Sequence, residues 1–278
     1  MNKKGVIIRI ISNLYTVFSD NKTYECRSRG KFRNDKITPL VGDFVVFDDK
    51  TNYILKVLDR KNELHRPPVA NVDYALVVTS IVEPNINLTL LDRQITLITS
   101  KNIKPVICLT KSDITDSKKL EEVKSIMKYY KSIGIDVVYN NEISKIKKLI
   151  KGKVILLTGQ TGAGKSSLIN RISDKHDIKT GEISKALGRG KHTTRHSEIY
   201  DIDGAYIVDT PGFSSLDIKI DKNDLKNYFI EFNGVSCKFK DCQHDKEIGC
   251  TIKKMVDDGI ILKSRYDNYI KFRGELWI

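Results

Sequence analysis

The chain has 278 residues, 40% of them hydrophobic and 30% charged, with a formal net charge of +13. Such apolar content supports a packed core and excludes global disorder, and no apolar run approaches the length of a membrane span. The length leaves room for about two or three domains, and the basic balance points to a polyanionic partner without specifying a fold.

The opening segment Met1-Asn-Lys-Lys-Gly-Val-Ile-Ile-Arg9 turns charged too quickly for a secretory signal, so the expected location is cytoplasmic. Five short runs then suit strands: Val6-Ile7-Ile8, Leu14-Tyr-Thr-Val-Phe18, Thr23-Tyr-Glu-Cys26, Phe44-Val-Val-Phe47 and Tyr53-Ile-Leu-Lys-Val57. Their spacing predicts a small closed barrel over residues 1–67, an OB-fold being the commonest kind, and such barrels often bind oligonucleotides. The stretch Arg27-Ser-Arg-Gly-Lys-Phe-Arg-Asn-Asp-Lys36 carries five cations, one carboxylate and one aromatic ring. Cations neutralise phosphates and a ring stacks on a base, so this loop is a candidate RNA contact. Arg66-Pro67-Pro68 reads as a linker.

Beyond the linker, residues 68–220 alternate apolar runs with amphipathic segments. Tyr74-Ala-Leu-Val-Val-Thr-Ser80, Pro105-Val-Ile-Cys-Leu-Thr110, Val137-Val138-Tyr139, Val154-Ile-Leu-Leu-Thr158 and Ala205-Tyr-Ile-Val-Asp209 suit buried strands. Helices are expected over 90–99, 116–132, 143–150 and 165–172. This alternation predicts a parallel α/β sheet with helices on both faces. Residues 221–278 are expected to form a mainly helical, cysteine-containing domain, with Ile260, Ile261, Tyr266, Tyr269, Ile270 and Arg273 on one helical face.

Gly159-Gln160-Thr161-Gly162-Ala163-Gly164-Lys165-Ser166 fits the phosphate-loop pattern, with a buried strand before it and a helix after it. Its glycines let backbone N–H groups converge on phosphate oxygens, and the helix behind presents its positive end. Lys165 would reach the β- and γ-phosphates, Ser166 would offer a hydroxyl to Mg²⁺, and Ser167 would add an α-phosphate contact. Asp209-Thr-Pro-Gly212 ends a strand. There Asp209 would hold Mg²⁺ through water and the Gly212 N–H would meet the γ-phosphate.

Thr110-Lys111-Ser112-Asp113 fits a guanine-reading motif. The Asp113 carboxylate can accept from both N1–H and the 2-amino group of guanine, donors that adenine does not pair, while the stem of Lys111 would lie against the base. Asn140 and Asn141 are candidates for a second base contact. Switch I falls at Gly188-Arg-Gly-Lys-His-Thr-Thr-Arg195, where either Thr193 or Thr194 would bind Mg²⁺ when the γ-phosphate is present. Phe213 follows Gly212 and cannot orient water, which makes His192 the candidate catalytic group. A solvated or RNA-contacting side chain is the other reading of His192. The base-reading motif precedes the phosphate loop, the reverse of the order in ordinary small GTPases, and this resembles a circularly permuted GTPase.

The chain has five cysteines. Cys26 and Cys108 sit in apolar runs and read as inert core residues. Cys237, Cys242, His244 and Cys250 have Cys₃His spacing, which saturates a tetrahedral Zn²⁺ and leaves no position for catalysis. The predicted site is structural.

Taken together, these strings resemble one family closely, the circularly permuted GTPases known as ribosome small subunit-dependent GTPase A. The resemblance covers essentially the whole chain. It runs through Val41-Gly-Asp43, Arg66-Pro-Pro-Val-Ala-Asn-Val-Asp73, Leu91-Asp-Arg93, Gly188-Arg-Gly-Lys-His-Thr-Thr194, the knuckle at 237–250, and Gly259-x₅-Arg265-Tyr266-x₂-Tyr269. It implies an N-terminal OB-fold barrel, a central circularly permuted P-loop GTPase domain and a C-terminal α-helical zinc-binding domain. It also implies a late assembly factor that binds the small ribosomal subunit and 16S rRNA near the decoding region, hydrolyses GTP when docked, and leaves. The implied cofactors are one structural zinc and Mg²⁺ with GTP or GDP, and residues 110–113 and 159–167 would carry the nucleotide. Thr110 stands where the family more often has asparagine. Phe213 agrees with the family, in which the switch I histidine has been proposed as catalytic. A monomer with no membrane association fits a factor that docks on a large particle. The alternative is an rRNA-binding module that uses GTP and GDP only as a switch, with negligible turnover.

Overall fold

Alternating apolar residues curl the first five strands of the structure, a computed structural model, into a closed barrel. The structure describes residues 1–28, 38–65, 68–173, 199–202, 204–209 and 219–275. Strands β1 (Asn2–Ile11), β2 (Leu14–Ser19), β3 (Lys22–Ser28), β4 (Phe44–Asp48) and β5 (Tyr53–Val57) close in the order β1-β2-β3-β5-β4, with β4 pairing back onto β1. Closure removes exposed sheet edges. Ile7, Tyr15, Val17, Cys26, Val45, Phe47 and Ile54 fill the interior. Burial pushes the Cys26 thiol up to about 11, as suits an inert core residue. All five strands lie where the alternation places them.

The Val41-Gly-Asp43 string has a structural use. Asp43 is fully buried and accepts from Arg60 Nε at 2.7 Å, from Arg60 Nη2 at 2.8 Å and from the Leu40 N–H at 2.7 Å. Arg60 Nη1 donates to Glu63 at 2.5 Å. Glu63 opens β6 (Glu63–His65), which pairs antiparallel with β7 (Pro68–Ala70). This ribbon is too short to stand out in the sequence. Arg66 and Pro67 lie outside the described residues, as do residues 29–37 of the basic loop.

Next come β8 (Tyr74–Ser80), α1 (Leu88–Thr99), β9 (Lys104–Thr110), α2 (Ser117–Ser132), β10 (Asp136–Tyr139), α3 (Ile143–Ile150), β11 (Val154–Gly159), α4 (Lys165–Ile172), β12 (Ile199–Ile202) and β13 (Ala205–Asp209). Two 3-10 turns, Leu225–Tyr228 and Ile230–Phe232, precede α5 (Thr251–Asp257) and α6 (Lys263–Gly274). The chain divides into two compact units. One holds residues 1–76, 142–158 and 165–216, the other residues 77–141, 159–164 and 217–278.

In the first unit β11 runs parallel to β13, with Leu157 opposite Asp209, and β12 adds an antiparallel edge absent from the sequence reading. In the second, β10 runs parallel to β9, with Val138 opposite Cys108. Every residue of β9 after Lys104 is buried, as is every residue of β11, which is the pattern of strands covered on both faces. Helix α1 starts at Leu88, slightly earlier than expected, because the Asn87 side chain accepts the Leu90 N–H at 2.9 Å and caps the first turn.

Helix α6 differs from its predicted pattern. It begins at Lys263, Ile260 is exposed, and the buried residues are Arg265, Asn268, Tyr269 and Phe272. Arg265 is 0% exposed. It donates to Asp92 Oδ1 at 2.8 Å and to Glu231 Oε1 at 2.8 Å, and its guanidinium lies 4.6 Å over the Phe229 ring. Tyr130 and Asn268 each donate to Asp92 at 2.6 Å. Burial disfavours the guanidinium charge, yet Asp92 and Glu231 outweigh it, so the arginine pKa is raised. Burial, and then the Asp92 carboxylate, hold the Tyr130 phenol well above its usual value. No helix among the described residues is long and apolar enough to cross a membrane.

Candidate nucleotide site and metal centre

The phosphate loop leaves β11 at Gly159. That residue sits at φ 142°, and a Cβ there would overlap the Val78 carbonyl oxygen, so only glycine fits. Gly164, at φ 91°, ends the loop where α4 starts. Lys165 and Ser166 are half-buried and Ser167 is exposed on the first turn of α4. Gln160 is half-buried, Thr161 and Gly162 are exposed, and Ala163 is buried.

Two stretches far apart in sequence meet here. Thr110, buried at the end of β9, donates its hydroxyl to the Ala163 carbonyl at 2.7 Å. Lys111 takes left-handed backbone, φ 61°, and its ammonium bonds the Glu83 carbonyl. The Thr115 hydroxyl donates to the Lys111 carbonyl at 2.6 Å and closes the segment on itself. Ser112 is half-buried and Asp113 exposed. Helix α2 is capped by Asp116, which accepts the Lys119 N–H at 2.9 Å, so Asp113 is not used as a cap. The Asn140 N–H donates to the Leu109 carbonyl at 2.8 Å, next to Thr110. Asn141 is exposed. The backbone of Asp209 ends β13. His192, Thr193, Thr194, Gly212 and Phe213 lie outside the described residues.

The candidate metal centre is built from one loop and the start of α5. The ligand atoms of Cys237, Cys242, His244 and Cys250 all lie within 4.8 Å of one another. His244 Nδ1 is 3.5 Å from Cys237 Sγ and 3.5 Å from Cys250 Sγ, and the two sulfurs are 3.9 Å apart. Tetrahedral zinc with bonds near 2.3 Å to sulfur would place two sulfurs about 3.8 Å apart, so the cluster has the size for that ion. Burial alone would raise the Cys237 thiol, but the N–H groups of Thr251 and Ile252 outweigh it, and the pKa is lowered. Burial, with Cys250 beside it, pushes Cys242 up to about 12. Burial, and then Lys226, lower His244, which favours the neutral imidazole a metal requires.

Sequence reading missed how the metal loop is held. The Tyr266 hydroxyl donates to the His244 carbonyl at 2.8 Å, and that of Tyr269 to the Gln243 carbonyl at 2.5 Å. Glu247 accepts the N–H groups of Gln243 at 2.7 Å and Asp245 at 2.8 Å. These outweigh its burial and lower its pKa to about 2. The Tyr266-x₂-Tyr269 spacing was the available signal, since both hydroxyls then leave one side of α6.

The family model described as RsgA GTPase matches residues 57–219, and that of the RsgA N-terminal domain matches residues 4–54. The chain belongs to the RsgA GTPase family. Among its relatives, the small ribosomal subunit biogenesis GTPase RsgA of Latilactobacillus sakei is 46% identical, over 98% of this chain and 95% of that protein. The protein of the same name from Bacillus cereus is 45% identical, over 98% and 97%. Among solved structures, YjeQ from Thermotoga maritima superposes with a TM-score of 0.86 at 33% identity, covering 99% of both chains. YloQ, described as a circularly permuted GTPase, gives 0.83 at 35% identity, covering 99% and 95%. The fold is that of the RsgA family: an N-terminal OB-like barrel, a circularly permuted GTPase domain and a C-terminal Cys₃His segment.

One expected result follows for the metal centre. Wild-type protein should carry about one zinc per chain, and Cys250→Ser should carry almost none, since three ligands with one thiolate lost no longer close a tetrahedron. Elemental analysis after gel filtration checks this. Limited proteolysis should cut the variant within 237–275, and resistance equal to wild type would show that the cluster needs no metal.

Proposed function

We propose that this chain is a GTPase of small-subunit maturation, as its relatives are named to be. The observation that supports the reading of the nucleotide site is the Thr110–Ala163 hydrogen bond, which joins the Thr110–Asp113 segment to the Gly159–Ser166 loop. In this reading Asp113 selects guanine by accepting from N1–H and the 2-amino group, and the stem of Lys111 covers the base. Asn140 or Asn141 adds a second contact. Residues 159–164 offer backbone N–H groups to the phosphates, Lys165 neutralises the β- and γ-oxygens, and Ser167 reaches the α-phosphate. Mg²⁺, which spreads the developing phosphate charge when bound, would be held by Ser166, by Asp209 through water, and by Thr193 or Thr194. The Gly212 N–H would meet the γ-phosphate. Zinc at Cys237, Cys242, His244 and Cys250 is structural.

The proposed division of labour is an RNA-binding barrel at 1–67, the GTPase domain at 68–220 and the metal-bearing helical domain at 221–278. The partner is 16S rRNA within the small subunit, met in the cytoplasm by a monomer. The net charge of +13 supports a polyanionic partner. Phe213 cannot place water, so His192 performs that task once switch I is ordered on the subunit.

The test is GTP hydrolysis with and without small subunits, by wild type and His192→Ala. Docking should raise turnover by orders of magnitude, on the scale of about 10³-fold that bringing one catalytic side chain into place gives. His192→Ala should lower the stimulated rate about 100-fold and leave GDP affinity unchanged. Phe213 also favours a second reading, a nucleotide-switched RNA binder. Subunit binding that depends on GTP, with no stimulated hydrolysis, would establish that reading instead.

A further inference from the structure

The turn that leads into α1, residues 81–87, lies beside the phosphate loop. A Cβ on Gly162 would sit 3.6 Å from Pro84 Cδ, and the Lys111 ammonium bonds the Glu83 carbonyl. The turn is closed on itself. Ser80 donates its hydroxyl to the Pro84 carbonyl at 2.6 Å, and the Ile86 N–H donates to the Ile81 carbonyl at 3.1 Å. Asn87, its last residue, caps the first turn of α1.

Thr89 stands in that first turn and is half-buried. Its hydroxyl donates to Asn268 Oδ1 on α6 at 2.9 Å. The amide nitrogen of the same Asn268 donates to Asp92 Oδ2 at 2.6 Å. Residues 89 and 92 are three apart and share one face of α1, so a single α6 side chain is gripped from two points. Asn268 is 6% exposed, which leaves little water to replace Thr89. From the same helix the Tyr266 and Tyr269 hydroxyls reach the His244 and Gln243 carbonyls of the metal loop. Contacts thus run without a break from the phosphate loop through residues 81–87, Thr89 and Asn268 to the metal loop, all inside one compact unit.

Resting on the nucleotide pocket proposed above, we infer that nucleotide and metal bind cooperatively, with Thr89 the positioning residue that joins the two sites. Metal leaves when its loop opens, and that opening loosens α6 from α1. A nucleotide that fixes residues 81–87 holds the first turn of α1 where Thr89 meets Asn268, so the opening becomes rarer. The route uses neither candidate switch segment, so GDP is sufficient to act through it.

Zinc affinity tests this, measured by competition with a chelating dye, with and without saturating GDP and Mg²⁺. GDP should raise wild-type zinc affinity about fivefold, the factor that one hydrogen bond contributes to an equilibrium. Reciprocity requires zinc to raise GDP affinity by the same factor, read with fluorescent GDP on zinc-loaded and zinc-free protein. Thr89→Val removes the donor and should bring both factors below about twofold. Thr89→Ser restores the donor and should keep both near the wild-type value. Thr89→Ala should repeat the valine result, so an effect of valine's second methyl cannot mimic it. Equal zinc affinity with and without bound GDP in wild type overturns the inference, and so does a wild-type effect that survives in both hydroxyl-free variants. Wild type that holds zinc but binds no GDP would overturn the pocket itself, and the inference with it.

Discussion

Asp113→Asn should convert a guanine pocket into one that prefers xanthine. A carboxylate offers only acceptors, which match the two adjacent donors of guanine, N1–H and the 2-amino group. Asparagine sets an N–H₂ against one of those donors. Two donors then face each other in a desolvated site, and rejection by about 10²–10⁴-fold is the scale for a polar group left unpaired. Xanthine carries a carbonyl where guanine carries the amine, and that carbonyl accepts from the new amide. The expected result is GTP affinity lower by about two orders of magnitude or more, XTP affinity overtaking it, and ATP binding poorly to both proteins. The fold should not suffer. Asp113 is exposed and Asp116 supplies the cap of α2, so thermal unfolding should stay close to wild type. Displacement of fluorescent GDP by GTP, XTP and ATP measures the exchange. Unchanged GTP affinity, or wild type that binds ATP as well as GTP, would remove Asp113 from the site.

How far a sequence carries its fold depends on whether the stabilising contact leaves a local mark. Strands β9 and β11 are continuous apolar runs because both faces are covered, and runs of that kind are visible without coordinates. The Cys₃His centre is equally visible, since its ligands come from one stretch, 237–250. The tie between Thr110 and Ala163 leaves no such mark, because a hydroxyl partner 53 residues away has no spacing signature. The ribbon of β6 and β7 and the edge strand β12 are too short for periodicity to resolve. Helix α6 misled for a different reason. Hydrophobic periodicity gives no reason to bury Arg265, which is buried because two carboxylates reach it from elsewhere in the chain. The same pairing puts Asp92 on the buried side of α1 among leucines and isoleucines.

That cluster makes Arg265→Met the substitution with the largest expected effect on stability. Methionine fills much of the volume and keeps contact with Phe229, so packing changes little. What changes is charge. Asp92 is 0% exposed and would keep only the neutral donors Tyr130 and Asn268, while Glu231 would keep Tyr129 at 3.2 Å. Two carboxylates would then be buried close together without a counter-ion, for which about 3–5 kcal/mol of destabilisation is the usual scale. The loss should fall first on α6 and its contacts with α1, read as faster amide exchange there. Because Tyr266 and Tyr269 hold the metal-loop carbonyls from this same helix, zinc should also leave the variant sooner under chelation. A control separates charge from shape: in Arg265→Met with Asp92→Asn and Glu231→Gln, no buried charge remains, and most of the stability should return. If the single variant loses under about 1 kcal/mol, or the triple variant is no better than the single, the ion cluster is not what fastens α6.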